Sequence, residues 1–149
     1  MDFRHDDRGT LFSDMGEQVW NDSGDLYMRM YGEGEHVADA EPPAMRHLAY
    51  IRWFDDRVMA SGLSEALRWH PAERMTRVAT ACDYFGLADL AELMRALAAD
   101  HENYARAESL NVEYWNRRGR RPEDNAIEAA MEERLRTAPE DFGRGAGGR

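Results

Sequence analysis

Between Leu11 and Phe142 apolar residues recur at helical spacing almost without interruption. Nowhere in that span do they alternate with the period of two that a half-buried strand requires. A chain of 149 residues patterned this way has room for one core and must build it from amphipathic helices. The expected fold class is therefore all-α, a single-domain orthogonal bundle of about six or seven helices.

The clearest stripe is Met45, Leu48, Ile51, Phe54 and Val58, preceded by Pro43 in a first turn, where proline is tolerated. Met75, Val78, Ala79, Cys82 and Phe85 form another, closed by Gly86, and Leu87, Leu90, Met94 and Leu97 the next. Leu63 to Trp69 reads as a brief helix, and Tyr104, Ala107, Leu110 and Tyr114 as a less regular stripe. A first helical stretch runs from Leu11 to Tyr31, with Asn21-Asp22-Ser23-Gly24 reading as a stop and restart. An acidic loop, Glu33 to Glu41, follows it. Pro122 is expected to open the last helix, with Ile127, Met131 and Leu135 facing inward. Residues 1–10 are expected to be a flexible start, 11–142 the helical domain, and 143–149 a flexible Gly/Arg tail.

Charge separates the ends from the middle. There are 29 acidic residues against 19 basic ones, all of them arginine, for a net charge of −10. The first 45 residues carry 11 acids and 3 arginines, residues 46–121 carry 11 and 12, and the remainder 7 and 4. That distribution argues against binding nucleic acid directly through a basic face. No apolar run is long enough for a membrane span, and the one cysteine, Cys82, has no intrachain partner; a cytoplasmic protein is expected.

Chemistry is hard to find. The histidines His5, His36, His47, His70 and His101 are scattered, and none shares a metal-binding spacing with another. There is no glycine-rich phosphate loop and no Gly-x-Ser-x-Gly turn, and Cys82 sits within an apolar stripe. No catalytic residue, cofactor or metal is expected, and a non-catalytic protein is the reading.

Three groups of side chains are candidates for function or for a special structural role. Asp55 lies near the centre of the apolar arc of Leu48, Ile51, Val58 and Met59, where a carboxylate must be paired. The free amides after the Ser61-Gly62 turn and an arginine are the two candidate partners, and a structural role is favoured over a catalytic one. Arg46, Tyr50, Trp53 and Arg57 share the other side of that helix; the composition fits a binding hot spot and a second packing face equally well. Asp124, Glu128 and Glu132 repeat every four residues, about 6 Å apart, a spacing similar to that of phosphates on one nucleic-acid strand. Asp14, Glu17, Asp22 and Asp25 form a second such row. An ordinary solvated face, supported by a Glu132–Arg136 pair at i,i+4, is the plainer reading of these rows, and on the residues alone it is favoured.

The segment Met45 to Val58 with Ser61-Gly62-Leu63 resembles a bacterial DNA-mimic protein family whose domain is mostly of unknown function. Asp55, Val58 and Gly62 match its signature, whereas Arg57, Met59, Ala60, Ser61 and Leu63 replace its Glu, Asn, Asn, Gly and Phe. Ala81, Gly86 to Leu93, Leu110, Tyr114, Glu123-Asp124 and Pro139-Glu140-Asp141-Phe142 extend the similarity across roughly residues 40–142. The resemblance implies an all-helical fold, an acidic surface and occupation of the DNA site of a DNA-binding protein.

Three function classes follow, in this order. The first is an acidic module that blocks a DNA-binding protein, such as a repressor, a nucleoid protein or a defence nuclease. The second is another kind of interaction protein, such as an immunity protein that neutralises a toxin through Trp53 or Tyr50. The third is an enzyme, which would need Asp55, His47 or an arginine to converge on a concave site. A protein partner is expected in the first two classes, and a homodimer is compatible with the sequence.

Overall fold

A computed structural model describes residues 3–5 and 11–144. The expected flexible start and tail therefore fall for the most part outside the described residues. Within them the chain forms one all-α body of eight α-helices: α1 (Asp14–Glu33), α2 (Pro43–Ser61), α3 (Leu63–Trp69), α4 (Ala72–Tyr84), α5 (Ala88–Ala99), α6 (Tyr104–Ser109), α7 (Asn111–Arg118) and α8 (Ala126–Thr137). Extended pairing among the described residues is confined to two three-residue strands, β1 (Phe3–His5) and β2 (Leu11–Ser13), antiparallel with Arg4 opposite Phe12.

The second helix is the hub. It packs against α1 on one side and α3 and α4 on others, and buries Leu48, Ile51, Phe54 and Val58, each 2% exposed or less. The helices α4 and α5 form the most extensive pair. Their hairpin turns at Gly86, whose positive φ of 74° lets Leu87 N–H reach Cys82 O (2.8 Å) and Gly86 N–H reach Asp83 O (3.0 Å). That double bond satisfies the last carbonyls of α4 and sets α5 back along it.

Five expectations about the elements change, one of them the acidic loop Glu33 to Glu41, most of which is a 3-10 helix, Glu35–Ala40. The first helix is unbroken through Asn21-Asp22-Ser23-Gly24. Buried Ser23 Oγ donates to Trp20 O (2.7 Å), and a Cβ at Gly24 would stand 2.7 Å from Arg52 Nη1. Gly24 thus admits the guanidinium that donates to Trp20 O (2.5 Å), and Ser23 caps nothing. Leu11 begins a strand, and the helix starts only after Ser13, whose hydroxyl accepts from Gly16 N–H (2.9 Å).

The stripe from Tyr104 to Tyr114 is two helices, because the turn at Leu110 swings Asn111 across to α3. Its Oδ1 accepts from Leu63 N–H (2.9 Å), capping a helix 48 residues away. Last, Pro122 opens only a 3-10 turn, Pro122–Asp124. The final helix begins after Asn125, whose Oδ1 accepts from both Ile127 N–H (2.9 Å) and Glu128 N–H (3.0 Å).

Candidate protein interface

Among the described residues the most deeply buried ion pair joins α2 to α7. Asp55 on α2 is 3% exposed and meets α7. Its Oδ1 accepts from Tyr114 OH (2.5 Å) and Arg118 Nε (2.7 Å), and its Oδ2 from Arg118 Nη2 (3.0 Å). Of the two candidate partners the arginine takes it, in a bidentate fork whose hydrogen bonds offset the cost of burying both charges. The amide after Gly62 is occupied by Asn111 instead. Arg118 Nη1 also donates to Gly119 O (3.1 Å), so the fork is tied to the end of its own helix. Burial and the Asp55 charge push the Tyr114 hydroxyl well above its ordinary range, keeping it a neutral donor. Asp55 at 3%, Tyr114 at 2% and Arg118 at 9% exposure place the cluster within the core.

The acidic row expected on the last helix does not form a line. Asp124 lies before the helix and is held by Arg121 (2.9 Å), while Glu128 is buried at 5% exposure. Glu132 turns inward to the start of α1. Its oxygens accept from Ser13 N–H (3.1 Å) and Ser13 Oγ (3.0 Å), and a Cβ on Gly16 would collide with it. Arg136 pairs with Glu133 rather than with Glu132. Glu132 is therefore a latch between the two ends of the chain. Replacing it with glutamine is expected to lower unfolding free energy by about 1 kcal/mol, read by urea titration, because one charge-assisted bond becomes a neutral one.

The row on α1 does face out. Asp14, Asp22 and Asp25 are exposed and Glu17 is partly so. Asp22 Oδ2 accepts from Arg144 Nη2 (2.7 Å), and Asp22, Asp25 and Glu41 share a shallow groove of about 280 Å³ with Arg29 and Arg144. Asp25, Asp39 and Glu41 have no ion pair among the described residues. The arginines of the middle segment, by contrast, are largely used within the molecule: Arg74 and Arg77 on Glu35, Arg117 on Glu92 and Glu113, and Arg95 on Asp83; Arg134 of the last segment is likewise held by Asp141.

The aromatic and arginine face separates into parts. Tyr50 is buried, with its hydroxyl donating to Glu35 Oε1 (2.8 Å). Arg46 is half-buried, and its charge is felt by His47 and Tyr84. Trp53 and Arg57 line a cleft of about 640 Å³ between α1, α2 and α3. Its rim includes Met28, Tyr31 and Trp69, at 57%, 61% and 49% exposure. Sequence reasoning missed those three, although each is a large apolar residue lying off its helix's core stripe.

The Cys82 thiol is pushed up to about 12 by burial, which makes it inert as a nucleophile. Among the described residues no group of three or more His, Cys, Asp or Glu is arranged to hold a metal, and no helix formed by them is long and apolar enough to cross a membrane.

A protein-family model described as DMP19-like protein matches residues 39–144, from the 3-10 segment before α2 to Arg144. No curated protein and no solved structure matches the chain.

Proposed function

The chain belongs to the DMP19-like protein family, and from that premise we propose that it is a DNA mimic that occupies the nucleic-acid site of a DNA-binding protein. The observation that carries this reading is the outward row on α1 and its continuation across the groove into Glu41. Asp14 and Asp25 stand about 16 Å apart along the helix at a rise of about 1.5 Å per residue. Carboxylates spread over that length present regular negative charge to a row of Lys or Arg. Of the two arginines in the groove, Arg144 pairs with Asp22 and Arg29 with Glu33, so the charges of Asp25 and Glu41 are left for a partner. The helix α1 precedes the family-matched region, so the row is argued from this chain's own residues, while Glu41 lies inside that region.

The test uses a DNA-binding protein recovered on the tagged chain from nuclease-treated native lysate. Asp22→Asn, Asp25→Asn and Glu41→Gln together are expected to weaken its binding roughly tenfold at low salt and to flatten the salt dependence. Glu132→Gln is expected to leave both unchanged. Unaltered affinity and slope in the triple variant would exclude the row as the mimic surface.

A second reading, a module that neutralises a toxin or another non-DNA-binding protein, is favoured by the aromatic cleft. Binding that is insensitive to salt and to duplex DNA distinguishes it.

A further inference from the structure

We infer that the cleft between α1, α2 and α3 docks a protein segment presenting a large apolar side chain beside a carboxylate. Large apolar side chains on soluble surfaces are ordinarily scattered. Here three of the five exposed ones among the described residues, Met28, Tyr31 and Trp69, rim one depression. Its floor is preformed. Trp53 stacks with Tyr27 at 6.4 Å between centroids, meets His70 edge-on at 5.3 Å, and carries the Arg74 guanidinium on one face at 4.0 Å. Those contacts fix the indole before any ligand arrives, which lowers the ordering cost of binding. The volume, about 640 Å³, suits one or two large side chains.

Charge selects the neighbour of that side chain. Both carboxylates of the cleft are already served. Glu35 is held by Arg74 (3.0 Å), Arg77 (3.2 Å) and Tyr50, and Asp56 Oδ2 accepts from Tyr27 OH (2.5 Å) and Arg52 Nη2 (3.4 Å). Arg57 lines the same cleft and has no carboxylate partner among the described residues; its guanidinium rests over Trp69 at 4.8 Å. Of the charged residues that line the cleft, Arg74 is spent on Glu35 and Asp56 is held by Tyr27 and Arg52, which leaves the charge of Arg57 unmatched there in a protein of net charge −10. A basic DNA-reading surface does not fit there, and an acidic residue next to an apolar anchor does. Met28 is three residues from Asp25 on α1, so the rim adjoins the acidic row and a single partner can reach both.

This inference does not rest on the acidic row, and its test reads different signals. The full-length chain, labelled for NMR, is titrated with a blocked peptide pairing phenylalanine with aspartate, with its asparagine and lysine counterparts, and with phenylacetate. The aspartate peptide is expected to shift the indole signals of Trp53 and Trp69 and to bind at least fivefold more tightly than the asparagine peptide. Arg57→Gln is expected to erase that difference while leaving the asparagine peptide's affinity unchanged. Trp69→Ala, at a half-exposed position that leaves the core intact, is expected to weaken both peptides. Three results would overturn the inference: no indole shift at millimolar peptide, preference for lysine, or phenylacetate binding as tightly as the peptide. The last would point to a free small acid.

Discussion

Asp55→Ala is expected to destabilise the protein by about 3–5 kcal/mol, the range for removing one partner of a buried ion pair. The side chain of Asp55 is 4% exposed and that of Arg118 11%, so the guanidinium left behind loses both carboxylate bonds while largely cut off from bulk water, with the through-space charge of Glu128 as its remaining support. Tyr114 OH would lose its acceptor at the same time. Tyr114→Phe alone removes one neutral donor and is expected to cost only about 1–2 kcal/mol. Replacing the pair with apolar residues, Asp55→Leu with Arg118→Met, is expected to recover most of the loss, because neither desolvation nor an orphaned charge remains. Urea unfolding of the three variants beside the wild type measures all of this. Equal losses in the single and double variants would show that the cluster contributes by shape alone.

The second large effect is a pH dependence centred on His70. The imidazole is 1% exposed, and burial, then the charges of Arg74 and Arg57, lower it from an ordinary value near 6.5 to about 3. The folded state therefore holds His70 neutral where the unfolded chain protonates it. Between about pH 6.5 and 3 the unfolded state binds the extra proton, so stability is full above that window and is lost as pH falls through it. The slope is about 1.4 kcal/mol per pH unit, or about 3 kcal/mol between pH 6.5 and 4. Carboxylates add their own acid sensitivity, so the measurement is the difference between the wild type and His70→Gln. That difference is expected to shrink steadily from neutral pH to pH 4. A constant offset would place a charged or solvated imidazole in the folded protein.

The helices were legible because each carries a local signal. The stripes of α2, α4 and α5 put the same residues in the core that the structure buries, and Pro43 and Gly86 mark ends where proline and glycine have definite geometric uses. Asp55 was legible as a buried carboxylate from its place on the wheel, but its partner was not. Arg118 lies 63 residues away, and periodicity within one helix carries no information about which other helix it meets. The same holds for Glu132 and Ser13, 119 residues apart. A carboxylate at regular helical spacing reads as solvated until the opposing element is known.

Glycine was the other source of error. Gly24 reads as a helix stop, yet it serves close approach by a guanidinium, and the two uses are indistinguishable without the neighbour. Asn111 likewise hides in a helical stripe because its cap is on another helix. The cleft was partly legible in Trp53 and Arg57. Its rim was not, because Met28, Tyr31 and Trp69 stand outside every apolar stripe and periodicity carries no signal for them.

The central claim is that the acidic face stands in for DNA, and competition tests it most directly. The tagged chain is loaded with its partner from nuclease-treated lysate, washed, and challenged with duplex DNA at constant ionic strength. Release of the partner in proportion to added duplex, with uncharged polymer of equal mass releasing none, is the predicted result. Retention of the partner at saturating duplex would contradict the account.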